Sequence, residues 1–463
     1  MDKTKKLSTD ELLGSSKMLP LIFKMALPTV AAQLVNLLYG VVDRVYIGHI
    51  EGIGKDALAG VGVSSTVIML IAAFANILAG GGAPLAAISL GRGDREKCKR
   101  ILGNCFTLGL IFTAVCMTVS YAFMTPLLKF AGASSVTMIY AKEYLGIYLV
   151  GTLFVMFSMG LNSFISAGGH PVVAMTSVIM GAALNTALDP VFIFGFDMGV
   201  RGAALATVIS QACSAAFVLC FLFSKRSTIR LEAKYMMPDI KIIGGIVALG
   251  ISPFVMASTE SLVGFALNGS LSKFGDIYVS SLTVMQSAMQ IVSIPLAGFT
   301  QGVSPIFGYN YGHRNNGRVK QALKYTMLIG VSFNLLGMLA MIIFPSAVAS
   351  IFTSDSELIS IVAKYMPIFL IGMTIFGLQR VCQNTFVALG DAKVSLFIAL
   401  LRKVILLVPL ALILPNFMGV TGVYAAEAIA DGTAATLCTL IFVFRFPVLL
   451  KRNAETAKID NKD

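Results

Sequence analysis

Apolar runs long enough to cross a bilayer recur along the whole chain, separated by short polar connections. A membrane-spanning helix needs about 20 predominantly apolar residues, and the pattern predicts twelve such spans. The first six run over residues 24–47, 57–83, 101–124, 140–166, 171–194 and 202–224. The second six run over 242–271, 278–305, 321–345, 363–389, 393–414 and 420–446. The predicted fold class is an all-α membrane protein, twelve transmembrane helices in two six-helix bundles. Its expected organisation is a tail (1–23), a first lobe (24–224), a linker (225–241), a second lobe (242–446) and a second tail (447–463).

Basic residues alternate sharply between the two sides of these spans. One side carries Lys3, Lys5, Lys6, Lys17 and Lys24, then Arg92, Arg95, Lys97, Lys99 and Arg100. It also carries Lys225, Arg226, Arg230, Lys234, Lys241, Arg314, Arg318, Lys320, Lys324 and Lys393, and then the basic residues Arg445, Lys451, Arg452, Lys458 and Lys462. The opposite loops hold only scattered bases such as Lys55, Lys129, Arg201 and Lys273. By the positive-inside rule both termini are expected in the cytoplasm of a cell with this protein in its plasma or inner membrane. Residues 1–19 are polar and lack a signal-peptide pattern.

Composition agrees with the pattern. Hydrophobic residues make up 57% of the 463 positions and charged residues only 13%, about half the share usual in soluble domains, near 25%. Mean hydropathy is +0.84. The net charge of +12 would suggest nucleic acid in a soluble chain. Here the bases track the cytoplasmic loops and read as orientation signals and lipid-headgroup contacts, so the expected partners are the bilayer and small molecules, with no nucleic acid. The seven cysteines and three histidines form no metal or disulfide spacing. Arg92-Gly93-Asp94 spells an adhesion tripeptide but falls in a cytoplasmic loop.

The two halves match in register as parallel repeats. Pro28 in span 1 corresponds to Pro253 in span 7, and Gly-Gly-Ala-Pro84 to Gly-Val-Ser-Pro305. Leu90-Gly-Arg-Gly-Asp94 matches Tyr311-Gly-His-Arg-Asn315, and Ala167-Gly-Gly169 matches Ala388-Leu-Gly390. Met198-Gly-Val-Arg-Gly202 matches Met418-Gly-Val-Thr-Gly422. Repeats of this kind in secondary transporters enclose a central cavity and rock about it. Prolines bend helices, so Pro28 and Pro253 are candidate hinges.

With these features the chain resembles the MATE (multidrug and toxic compound extrusion) family. The resemblance rests on Asp43-Arg-Val-Tyr-Ile-Gly-His49, Leu90-Gly-Arg-Gly-Asp94, Asn185-Thr-Ala-Leu-Asp189-Pro190 and Phe192-Ile-Phe-Gly195. It implies a V-shaped antiporter that exports bulky, often cationic drugs or metabolites in exchange for Na+ or H+ by rocker-switch alternating access, functional as a monomer. It also implies that the matched positions of the first lobe form the cation site.

Ionisable side chains inside spans are costly and mark ion or substrate paths. The first lobe has Asp43, Arg44 and Asp189. At 1.5 Å per residue, Asp43, Asp189 and Thr207 fall at a common depth of roughly 8–9 Å from one side. Asn185 shares the Asp189 face one turn away. Two carboxylates with amide and hydroxyl oxygens suit a sodium ion, as hard cations prefer oxygen. They suit a proton equally, since carboxylates buried side by side resist ionising together. Asp43, Asn185, Asp189 and Thr207 are therefore the expected cation-coupling residues, with no other metal or cofactor.

In the second lobe Glu260, Arg380, Arg402, Lys403, Glu427 and Asp431 balance in charge. Arg380, Arg402, Lys403, Glu427 and Asp431 are expected to form a charge network. Glu260, with Gln286 and Gln290 on one face of span 8, is a candidate second coupling or substrate site. Glu260 resembles the span 7 acid of some family branches, whose span 10 acid is missing here, where Gly377-Leu-Gln-Arg380 stands. The alternative function is a lipid-linked oligosaccharide flippase of a related two-lobed family, which would need Arg380, Arg402 and Lys403 unpaired to hold pyrophosphate. No HExxH, GxSxG or GxxxxGK[ST] motif is present, so an enzyme is not expected.

Overall fold

The computed structural model describes residues 9–460, with the side chains of Ser261 and residues 456–460 excepted. The outermost parts of both expected tails, 1–8 and 461–463, lie outside the described residues. All regular structure among the described residues is helical. Among the described residues ten helices are long and apolar enough to cross a bilayer, and two bent helix pairs bring the number to twelve when each pair is one span.

In chain order these spans are α1 (Met18–Gly48), α2 (Gly54–Gly91), α3 (Arg95–Ala122), α4 (Thr137–Val150 with Thr152–Ala167), α5 (Pro171–Gly195) and α6 (Gly199–Phe223). The second set is α7 (Ile240–Leu271), α8 (Asp276–Gly312), α9 (Asn316–Ile343), α10 (Ser356–Leu370 with Gly372–Ala388), α11 (Ala392–Met418) and α12 (Val420–Asp460). The helices outrun the apolar segments that announce them. α12 continues past residue 446 through Lys451 and Arg452, because hydropathy falls where charges begin but backbone hydrogen bonding does not.

The repeat is visible in local geometry as well as in letters. Asp94 caps α3 by accepting the Lys97 N–H at 2.9 Å, and its counterpart Asn315 caps α9 by accepting the Arg318 N–H at 3.1 Å. A side-chain oxygen in that position satisfies one of the free N–H groups of the first turn. The Asp94 carboxylate of the Arg-Gly-Asp tripeptide thus serves a helix end. Gly199 and Gly419 open the matched turns at φ 52° and 57°, a backbone region that favours glycine. The bent spans also correspond, α4 by 58° and α10 by 44°.

Two compact units divide the chain; one border falls between Ser15 and Ser16, ahead of α1, and the others fall inside α1 and α7. One holds residues up to Ser15 and Ala31–Ala257, the other Ser16–Val30 and Ser258 onwards. The two changes of unit inside these helices come within a few residues of a helix proline, Pro28 or Pro253. Within the first unit, residues 225–239 lie along α3. Asn104 accepts the Asp239 N–H at 2.7 Å, and Lys99 donates to Glu232 at 2.6 Å. That hydrogen bond, with Lys234 beside it, holds the Glu232 carboxyl below the usual carboxylate range.

The glycines before Pro84 and Pro305 have a packing reason. In the first unit a methyl at Gly81 would overlap the Ile246 carbonyl oxygen of α7 and meet the Gly250 nitrogen at 3.0 Å. In the second unit a methyl at Gly302 would lie 2.6 Å from Ala26 Cα and 2.8 Å from the Met25 oxygen of α1. Small residues let helix backbones approach closely in a membrane. Gly81→Ala is therefore expected to cost about 1–3 kcal/mol as overpacking. Gly62→Ala on the same helix, where nothing lies within 4 Å of the added carbon, should be neutral or mildly stabilising. Thermal unfolding of the two purified variants in detergent checks this; equal midpoints would contradict the packing role.

Candidate cation-coupling site

Three helices of the first unit bring the site together. α5 carries Asn185 and Asp189 one turn apart, both buried, with Asp189 fully out of contact with solvent. α6 carries Thr207, also buried. The Asn185 amide nitrogen donates to Asp189 Oδ1 at 3.2 Å and to Thr207 Oγ1 at 3.4 Å. Thr207 donates in turn to the Ala203 carbonyl at 3.0 Å. Asn185 therefore links the two helices and orients the carboxylate.

Asp43 on α1 faces the same neighbourhood, close enough for its charge to repel that of Asp189. Tyr39 lies one turn before Asp43 on α1, within reach of the charges of Asp43 and Asp189. Tyr144 of α4 lies beside Thr207, and Tyr148 beside Gln211 of α6. Sequence reasoning missed these aromatic walls. Tyr39 was within reach of the same-face argument that joined Asn185 to Asp189, whereas nothing in the sequence aims α4 at α6.

The backbone is loosened beside the acid. Pro190 has no N–H to donate, and Val191–Gly195 wind as a π-helix. π-turns are uncommon and concentrate at functional sites. Three oxygens here are buried without a hydrogen-bond partner: Asp43 Oδ1, Asn185 Oδ1 and Asp189 Oδ2. Buried oxygens without a donor are unfavourable. An all-oxygen acceptor set with two carboxylates fits a hard cation or a proton, so the residues present suit either coupling ion.

The second unit places its charges differently. Arg402 lies in a π-helical stretch of α11, Leu401–Leu407. Its Nε donates to Asp431 of α12 at 2.5 Å, a terminal nitrogen lies 3.8 Å from Glu427, and the guanidinium stacks over the Phe376 ring at 4.3 Å. Lys403 pairs with Glu260 of α7. These contacts bear on two of the expected groups. Glu260 meets the charge cluster through Lys403, and among the described residues no hydrogen bond links it to Gln286 or Gln290. Arg380, expected in the network, makes no ion pair among the described residues, although Arg402 is its neighbour. Because Arg402 and Lys403 are both neutralised, the trio of free bases that a pyrophosphate-binding flippase needs is not assembled.

A family model described as MatE matches residues 28–191 and 253–413, more than half of the chain. The chain belongs to the MatE family. Both matched stretches of this MatE protein start at the helix prolines near which the compact units change. The multidrug export protein MepA of Staphylococcus aureus (strain MSSA476) is 25% identical over 417 residues, 90% of this chain and 91% of MepA. MepA of Staphylococcus haemolyticus (strain JCSC1435) is 23% identical over 420 residues, with the same shares. Among solved structures, a MATE transporter in the bent conformation matches with a TM-score of 0.89 at 24% identity, over 97% of this chain and all of the other. An outward-facing multidrug resistance MATE family transporter matches with a TM-score of 0.88 at 24% identity, over 97% and 99%. At that identity the likeness shows a shared fold.

Proposed function

We propose that this protein is a secondary antiporter that exports bulky, often cationic drugs or metabolites in exchange for Na+ or H+. The observation that carries the reading is the pair of half-buried Asp43 and fully buried Asp189, with acceptor oxygens left unsatisfied beside Asn185 and Thr207. A carboxylate pair inside an apolar bundle is unfavourable unless a cation visits it. Loading with Na+ or a proton neutralises the pair; release restores its charge. Alternation between the two states, by rocker-switch access from either side, couples the ion gradient to export. The related MepA proteins, named for multidrug export, support the substrate class.

In this reading the protein works as a monomer in the plasma or inner membrane with both termini cytoplasmic, an orientation that the alternation of basic loops supports. Glu260 belongs to the substrate side of the cycle, since its carboxylate is more than half exposed. Reconstituted vesicles under separately imposed Na+ and pH gradients test the coupling. Ethidium export is expected under one of the two gradients and is expected to stop when that gradient is collapsed. Export that continues with both gradients dissipated would overturn the reading.

A further inference from the structure

A cavity of about 310 Å³ opens between the start of α9 and the far part of α12, both in the second unit. Its lining comes from residues 316–320 and 446–454. The apolar segments that mark these two spans begin at residue 321 and end at residue 446, so the cavity lies at the boundary between hydrocarbon and headgroups. Side-chain amides hold its wall in place. Asn316 donates to the Leu450 carbonyl at 2.9 Å, and the buried Asn453 donates to the Tyr311 carbonyl at 2.8 Å. These bonds pin the extension of α12 to the end of α8 and the start of α9.

Two bases line the cavity without an acid. Lys320 of α9 and Lys451 of α12 are exposed, and neither ammonium makes an ion pair or hydrogen bond among the described residues. Glu455, one turn past Lys451, is not part of the lining and pairs with neither. The repeat supplies a comparison, because the register that matches Asp94 with Asn315 also matches Lys99 with Lys320. In the first unit Lys99 and Lys234 share the Glu232 carboxylate, at 2.6 and 3.6 Å. In the second unit the matched base has a basic companion and no carboxylate, so an anion there comes from outside the chain.

The rest of the wall is apolar and includes Phe446, Pro447 and Leu450. Phe444 and Val448, on the same stretch of α12, are 75% and 53% exposed, as suits side chains that face lipid tails. A free phosphate would engage the lysines alone, whereas an anionic phospholipid also covers this apolar surface. Basic pockets between spans are a recurring way of holding acidic headgroups.

We propose that the cavity binds the phosphate of an anionic phospholipid, with Lys320 and Lys451 on its oxygens and its acyl chains over Phe444 and Val448. In the orientation proposed above, that lipid belongs to the cytoplasmic leaflet. It clamps α9 to α12, and the site needs no part of the export reading.

The test uses purified full-length protein in detergent, loaded with a fluorescent phosphatidylglycerol and titrated with unlabelled lipids. Phosphatidylglycerol is expected to displace the probe at about 30-fold lower concentration than phosphatidylcholine, the value of two basic contacts near an anionic surface. Lys320→Gln combined with Lys451→Gln is expected to abolish that preference. Thermal unfolding of this variant in lipid-free detergent should match the wild type, because both side chains are exposed. Lys225→Gln combined with Lys393→Gln removes two exposed bases from the same side of the membrane and should leave the preference intact. Equal displacement by the two lipids in wild-type protein overturns the proposal. So does a preference that survives loss of Lys320 and Lys451, or one that falls equally on loss of Lys225 and Lys393. Displacement by inorganic phosphate at the concentrations where phosphatidylglycerol acts would assign the cavity to a free anion and overturn it as well.

Discussion

Asp189→Asn is expected to reduce gradient-driven dye export at least about 10-fold while the protein folds and inserts as before. The magnitude follows from losing one charge-assisted contact to the bound cation, worth about 1.5–3 kcal/mol, since 1.4 kcal/mol is tenfold. Folding should survive because asparagine keeps the size of the side chain and an oxygen for the Asn185 amide, which now donates to Asp189 Oδ1 at 3.2 Å. Removing a fully buried charge also relieves its repulsion with Asp43. Asp43→Asn should act in the same direction. The measurement is the initial rate of ethidium efflux from cells matched for membrane content of each variant. A normally expressed Asp189→Asn protein with wild-type efflux would remove Asp189 from the coupling machinery.

Arg402→Met gives the largest expected loss of stability, about 3–5 kcal/mol, because it strands two buried carboxylates. Arg402 is mostly buried, Asp431 fully and Glu427 nearly so, so solvent cannot take over its role. The methionine fills much of the same volume, and the loss therefore reports charge and not a cavity. The triple variant Arg402→Met, Glu427→Gln, Asp431→Asn should recover most of that loss, since it leaves no charge unpaired. Thermal unfolding in detergent compares the three proteins. If Arg402→Met melts at the wild-type temperature, the cluster does not hold α11 to α12.

The sequence made the spans legible because a bilayer demands long apolar runs, and it made the repeat legible because the same turns need the same glycines. Gly199 and Gly419 carry that demand in their backbone angles, Gly81 and Gly302 in the helices pressed against them. Depth counting along α1, α5 and α6 put Asp43, Asp189 and Thr207 forward, since a helix has a fixed rise per residue, and the shared helix face added Asn185. The pairing of Lys403 with Glu260 in the second unit was not legible. Lys403 lies within the π-helical stretch of α11, and Arg380 follows the 44° bend of α10. Neither distortion is written in a hydropathy pattern. The same holds for α1 and α7, whose first halves belong to a different compact unit from their second halves; apolar periodicity says that a helix buries a face, not against which bundle.

The most direct test is whether binding of a cationic substrate expels an ion from the pocket of Asp43, Asn185, Asp189 and Thr207. Purified protein is titrated with tetraphenylphosphonium in a weakly buffered detergent solution, with released protons read by a pH dye and bound Na+ by radioactive sodium. The account predicts that wild-type protein releases one or the other on binding and that Asp189→Asn releases neither. Substrate binding by wild-type protein with no change in bound protons or sodium, or an undiminished release from Asp189→Asn, would contradict it.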